Sequence, residues 1–217
     1  MLKKTLTLLA LVAVTAAQAG TPAPAAISPT VAPDDISYNN LSISWLRQWA
    51  QIGPLDGDGD GVALGLEYSP ANNIYLALNG SWSDVEFSAF GGSVGADYWN
   101  LNAGVGGYIP LTSNVHFVTE VGASYSDLNL NGGLGSVDGW GIYVVPHIRA
   151  KFGAFETHLG VNYNSNDAAL TEWSGFLRLL YEVCPSVDIF TTGNIGLSDS
   201  NGPDDVFGLN FGLRYKF

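Results

Sequence analysis

The 217 residues include 8 Lys or Arg against 20 Asp or Glu, for a formal net charge of −12. So acidic a chain is excluded as a nucleic-acid binder, which must neutralise phosphates with basic side chains. A single cysteine, Cys184, excludes an internal disulfide. Charged residues are only 13% of the chain, whereas there are 27 glycines and 12% aromatics, a balance that suggests an exported β-protein in an unusual solvent.

The chain opens with "MLKKTLTLLALVAVTAAQAG": two lysines, an apolar run from Leu6 to Ala17, and the small-x-small triplet Ala17-Gln18-Ala19. This is the layout of a secretory signal peptide over residues 1–19, with cleavage expected after Ala19. The apolar run falls short of the roughly 20 residues a membrane-spanning helix needs. Removal of Lys3 and Lys4 takes the mature charge from −12 to −14. Residues 20–35, rich in Pro and Ala, read as an extended segment ahead of the folded domain, residues 36–217.

From residue 36 onward, alternation with period two recurs between turn signals. It predicts strands at 36–46, 61–69, 74–83, 97–109, 115–127, 139–151, 155–164, 172–183 and 187–197, and a last one in "VFGLNFGLRYKF". In that last stretch Phe207, Leu209, Phe211, Leu213, Tyr215 and Phe217 share one face, opposite Gly208, Asn210, Gly212, Arg214 and Lys216. In 172–183, Trp173, Leu177, Leu179 and Tyr181 oppose Ser174, Arg178 and Glu182. Four connections are tight turns ("PANN", "PLTSN", "FGA", "CPS"). Five longer ones, at 47–60, 84–96, 128–138, 165–171 and 198–205, read as loops rich in Asp, Asn and Gly.

An even number of alternating strands, with short turns at one end and long loops at the other, describes an antiparallel up-and-down transmembrane β-barrel. The competing architecture is a soluble β-sandwich, and tryptophan placement separates the two. With the N-terminus periplasmic, Trp45, Trp82, Trp99, Trp140 and Trp173 all fall at the long-loop end on the apolar face. At the other end that face carries Tyr68, Phe117, Phe152, Phe155, Tyr181, Tyr215 and Phe217. Two aromatic girdles suit the two interfaces of a membrane, and a sandwich core has no reason to sort its tryptophans to one end.

At this point the chain resembles the small bacterial outer-membrane β-barrel proteins of the opacity and OmpA-transmembrane type, the porin-like barrels, over its signal peptide and residues 36–217. The terminal "NFGLRYKF" is similar to the signal by which that class engages the barrel-assembly machinery, and Phe217 would be its last aromatic. The resemblance implies outer-membrane lipid as surroundings. It also implies eight strands as the alternative to the ten counted. Oligomeric state is left open.

Three candidate chemistries remain. The string "LDGDGDGVALGLE" fits a calcium-loop pattern through Asp56, Asp58, Asp60, Gly61 and Glu67. Yet the alternation after Gly61 puts Glu67 some 20 Å down a strand from Asp60, facing the lumen, so it cannot close such a site. Weak surface calcium on Asp56, Asp58 and Asp60 stays open, beside a plain turn. His116, His147 and His158 all fall at the periplasmic end without a Ser–His–Asp spacing; no catalytic residue, cofactor or metal site is assigned. The inward face sets Glu67, Glu120, Glu156, Glu182 and Asp188 against Arg149, Lys151, Arg178, Arg214 and Lys216, either a salt-bridged plug or a pore lining. The expected function is therefore a non-enzymatic outer-membrane barrel, structural or a narrow, weakly cation-preferring pore. The alternative is a surface-binding or adhesion module acting through acidic loops.

Overall fold

The computed structural model describes residues 36–52, 55–89, 92–133, 135–197 and 205–217. The expected signal peptide and the Pro/Ala-rich segment lie outside these. Ten antiparallel strands close into a barrel. They are β1 (Asn40–Ile52), β2 (Leu55–Ala71), β3 (Ile74–Ala89), β4 (Gly92–Pro110), β5 (Val115–Leu130), β6 (Gly135–Phe152), β7 (Phe155–Asn164), β8 (Trp173–Cys184), β9 (Val187–Gly196) and β10 (Asp205–Lys216). Each strand pairs with its sequence neighbours, and β1 zips onto β10 from Asn40↔Lys216 to Gln51↔Asp205. Closure leaves no edge, which a sheet in hydrocarbon requires, because each unpaired backbone group there costs several kcal/mol. The strand count agrees with the ten expected from sequence, not with the eight-strand alternative.

The pleat faces the way the alternation requires. Leu41, Ile43, Leu64, Leu66, Leu76, Leu78, Leu101, Val105, Leu177, Leu179 and Leu213 are exposed on the outside. Ser44, Asn40, Glu120, Arg149, Glu156, Asp188 and Arg214 are buried inside. A soluble protein could not present such an apolar outer band to water; the surface is built for lipid. Trp45, Trp99, Trp140 and Trp173 are exposed at the extracellular end, and the seven expected periplasmic aromatics, from Tyr68 to Phe217, are exposed at the other. Trp49, read as a loop residue from sequence, joins the upper girdle, its ring 5.4 Å from that of Phe207.

Among the described residues three of the five expected long loops are mostly strand, and the expected loop 198–205 lies outside those residues up to residue 204. β2 starts at Leu55 rather than residue 61, β3 continues to Ala89, β4 begins at Gly92, and β5 and β6 meet across Asn131–Gly133. The reason lies in the glycines. In "DGDGDG" the aspartates point outward and the glycines inward, a perfect alternation disguised as turn chemistry. A Cβ at Gly57 would lie 2.7 Å from the Phe87 ring, and one at Gly59 2.6 Å from the Asp84 carbonyl oxygen, so only glycine admits β3 this closely. β4, at 19 residues, is about twice the 9–11 residues a membrane crossing needs, whereas β7 and β9 have 10 each. β1–β6 thus rise as a tall wall, and β7–β10 barely clear the membrane. Inside the wall Val85, Phe87, Ala96 and Tyr98 form a small core, against which Leu128, Leu130 and Leu170 pack.

Leu179 faces outward and is 49% exposed, while its neighbour Leu180 is buried. Leu179→Arg is therefore expected to cost about 2–4 kcal/mol, and Val183→Arg, close to the periplasmic interface, about 0–1. Denaturant titration of folding into liposomes measures both. A neutral Leu179→Arg would mean that the facing is inverted.

Candidate functional site

The periplasmic half of the lumen is filled by one connected network. Period-two alternation brings its members inward from eight strands and from the segment preceding β1. Arg149 of β6 holds Glu67 of β2 through both terminal nitrogens, one bond being 2.9 Å. Glu67 also accepts from the Asn40 amide at 2.9 Å. Arg149 lies over the rings of Tyr38 and Tyr75, 4.7 and 5.6 Å from their centroids, and its Nε donates to His147 Nε2 at 3.1 Å. On the opposite wall Arg214 bridges Glu156 and Asp188. His158 reaches Glu156 at 2.6 Å. Lys216 binds both Asp188 (2.9 Å) and Glu182 (2.8 Å), and Lys151 joins Glu182 at 3.1 Å. Bidentate and shared carboxylates of this kind satisfy the demand of buried charges for several partners each.

Of the five acids and five bases expected to face one another, eight do so as ion pairs. The exceptions are Glu120 and Arg178. Glu120 instead accepts hydroxyl bonds from Tyr143 at 2.6 Å and Tyr75 at 3.2 Å. Arg178 donates its Nε to Thr192 Oγ1 at 2.9 Å and lies 4.8 Å from the Phe190 ring centroid; among the described residues it forms no ion pair with a carboxylate.

Tyrosines complete the filling, and the sequence reading missed them. Tyr75 and Tyr143 are essentially inaccessible, as are Val118 and Asp188. Ile36 and Tyr38, just before β1, tuck into the periplasmic mouth beside Tyr75, Ala77 and Val118. Tyr38 stacks on Tyr108 with ring centroids 4.1 Å apart, and its hydroxyl meets His116 Nδ1 at 3.0 Å. Burial pushes the Tyr38 hydroxyl above the ordinary tyrosine range. A signal did exist: Tyr75 shares its parity with Ala77 and Asn79, and not with lipid-facing Leu76 and Leu78.

The three histidines sit at the periplasmic end, as expected. His147 and His158 stack 6.0 Å apart in the network, and His116 joins the Tyr38–Tyr108 stack at 5.1 Å from Tyr108. The aspartates of the calcium-like string do not converge. They occupy alternate outward positions of one strand, about 7 Å apart, and Arg47 of β1 clasps Asp58 and Asp60. Among the described residues no group of three His, Cys, Asp or Glu side chains is arranged to hold a metal ion. Glu67, the twelfth position of that string, belongs to Arg149 instead.

Outside, acids of β2–β6 form cross-strand rows, whereas Asp167 and Glu172 lie in the β7–β8 connection. Asp60, Asp84 and Asp97 are direct cross-strand partners on β2, β3 and β4, and Asp127 faces Asp138 on β5 and β6. The triple row stands two residues above Val62, Trp82 and Trp99, themselves aligned. Trp82 Nε1 donates up to Asp97 at 3.3 Å. The acids therefore begin where the tryptophan girdle ends. Asp199 and Asp204 lie outside the described residues.

The chamber above the network is different in character. A cavity of about 380 Å³ occupies the extracellular half of the lumen, bordered by Ser42, Ser44, Asn79, Asn100, Asn102 and Arg178 among others.

No protein-family model matches the chain, and no curated protein does. Among solved structures it is similar to the translocator domain of autotransporter NalP from Neisseria meningitidis: 11% identity, 85% of this chain and 91% of that one, TM-score 0.52. The β domain of the Bordetella autotransporter BrkA gives 11% identity over 83% of this chain and all of that one (100%), TM-score 0.51. The outer membrane protein OprG from Pseudomonas aeruginosa gives 11% identity, 82% and 96% coverage, and TM-score 0.44. These likenesses are of fold.

Because Glu67 is the carboxylate partner of a buried Arg149, Glu67→Gln is expected to destabilise the barrel by about 3–5 kcal/mol, the range for leaving a buried charge without its partner. Urea unfolding in detergent micelles reads this directly. An unchanged midpoint would mean that the pair contributes nothing to holding the lumen together. Taken together, the apolar outer band, the paired aromatic girdles and the closed ten-strand topology make the chain an integral outer-membrane β-barrel.

Proposed function

We propose that this barrel is closed to diffusion and works at the cell surface as a non-enzymatic structural and presenting scaffold. The observation that carries this reading is the filled periplasmic half of the lumen. Tyr75, Tyr143, Val118 and Asp188 are each no more than 2% exposed there, and Arg149 and Arg214 are 2% and 3% exposed. An ion crossing this layer would have to break charge pairs held at both ends, with no open column of water to enter. The narrow, cation-preferring pore loses support for the same reason: the luminal acids that would select cations are engaged by bases or, for Glu120, by the Tyr75 and Tyr143 hydroxyls.

Planar-bilayer recording of the purified barrel tests the closure. Steady unitary current is expected to be absent, and simultaneous truncation of Tyr38, Tyr75 and Tyr143 to alanine is expected to produce it. Unitary, cation-selective current from the unmodified protein would overturn the closed reading in favour of the pore.

A second reading is favoured by the Asp60–Asp84–Asp97 row. These carboxylates stand on rigid paired strands just above the girdle, their long-range field opposed nearby by Arg47 alone, which already serves Asp58 and Asp60. A surface of this kind attracts cationic partners. Binding of a lysine-rich peptide to the barrel in nanodiscs is expected to weaken with salt. It is also expected to fall several-fold in the Asp60→Asn, Asp84→Asn, Asp97→Asn triple variant. Salt-independent binding, or none, removes the adhesive reading.

A further inference from the structure

We infer that the extracellular half of the lumen is a binding chamber for a small hydroxylated anion, of the size and chemistry of a sugar acid or sugar phosphate. The proposal goes beyond the closed-barrel reading and uses its filled floor as the chamber's base.

The first observation is Arg178. Every other luminal base is bonded to a carboxylate, but Arg178 lines the cavity with no such bond among the described residues. Thr192 fixes its Nε and Phe190 supports its face, so the guanidinium is held in one orientation before any ligand arrives. A half-buried guanidinium with no carboxylate in bonding contact keeps its terminal donors available, and a planar fork of donors suits a carboxylate or phosphate bidentately.

The second observation is independent. Asn102 Oδ1 is the one buried side-chain polar atom among the described residues that lacks a hydrogen-bond partner, and Asn102 lines the same cavity. Its orientation is fixed by a relay: Asn102 Nδ2 donates to Asn100 Oδ1 at 2.6 Å, and Asn100 Nδ2 donates to Ser126 Oγ at 2.9 Å. The relay leaves the Asn102 oxygen as the atom still to be satisfied. A buried acceptor without a donor is unfavourable, a deficit that a hydroxyl donor at the cavity wall would remove.

The rest of the lining carries no acid, and Ser42, Ser44, Asn79 and Asn210 offer hydrogen bonds beside apolar Leu46 and Leu170. Arg47 also borders it, but Asp58 and Asp60 hold that side chain. At about 380 Å³ the cavity falls within the range of small-molecule sites. An anion without hydroxyls would leave Asn102 unsatisfied, and a neutral sugar would leave the Arg178 fork without a bonded anion; one molecule carrying both groups answers both.

Calorimetry on the refolded full chain in detergent tests this, with glucuronate and glucose 6-phosphate as probes and glucose and acetate as controls. Either anionic sugar is expected to bind at least about tenfold more tightly than either control, and the better of the two identifies carboxylate or phosphate as the preferred head. Arg178→Gln is expected to weaken that binding about tenfold or more, and Asn102→Ala several-fold. Should Arg178→Gln fail to insert, Asn102→Asp puts the same question by adding a negative charge to the chamber, and it is expected to abolish binding. No heat from either anionic sugar at millimolar concentration overturns the proposal. So does equal binding of acetate, or binding unaffected by these substitutions. Bilayer current and calorimetric heat are separate readouts, so failure of the chamber and failure of the closed lumen are told apart.

Discussion

Two guanidinium groups, Arg149 and Arg214, are buried in the lumen to within 3% of complete inaccessibility, and the organisation of the barrel's lower half follows from what each of them demands. A buried guanidinium needs carboxylates with good geometry, or its desolvation outweighs its attractions. Arg149 takes Glu67 from the far side of the barrel, some 80 residues away in sequence (82 positions), and Arg214 takes Glu156 and Asp188 from β7 and β9. Arg214–Asp188 joins register partners on adjacent strands. The Arg149–Glu67 and Arg214–Glu156 bonds link strands that are not neighbours, which backbone hydrogen bonds cannot do because the ladders run only around the wall. They turn a tube into a filled cylinder. Aromatic rings then occupy what the charges leave: Tyr38 and Tyr75 under Arg149, Phe190 under Arg178.

The result is a molecule of unlike halves. The periplasmic half is dense with charge pairs and tyrosines. The extracellular half is lined with amides and hydroxyls around open space. Outside, the tall β1–β6 wall carries acids on its outer face and glycine or apolar residues on its inner face. The same alternation that makes a strand amphipathic in the membrane thus continues above it with a different meaning. Below the girdle the outer partner is lipid and the outer residue is Leu or Val; above it the partner is water and the residue is Asp. Segment 165–171 leans over the short side, where Asn166 caps its own turn and donates to the Gly139 carbonyl at 2.8 Å.

Much of this was legible in the sequence, because period-two alternation is a local signal and strand facing follows from it alone. Strand number, the lipid face of β8, the inward set of ten charges and both girdles were all readable. The height of the wall was not. "LDGDGDG" and "GGSVGAD" look like turns by composition, and for the first of them only the close approach of Phe87 and Val85 to Gly57 and Gly59 explains why glycines belong in a strand. Pairing was also hidden. Parity states which residues face inward, but the barrel's shear decides who meets whom across the lumen. Glu120 therefore meets two tyrosines rather than a base, and Arg178 is left without an acid. The packing of Ile36 and Tyr38 into the periplasmic mouth was likewise invisible, since both were read as the start of a strand rather than as a segment before it.

The central claim is that cross-lumen charge pairs hold the lower half of the barrel together in a water-poor interior. A double-mutant cycle on Glu156 and Arg214, with Glu156→Gln and Arg214→Met measured by reversible denaturant unfolding, tests it most directly. The two side chains share a short bidentate contact and are each 4% exposed or less. The account requires a coupling energy of about 2–3 kcal/mol, at the upper end of that found for contacting residues. Additivity of the two substitutions to within about 0.5 kcal/mol would contradict it, and would mean that the lumen is wet and the pairs incidental.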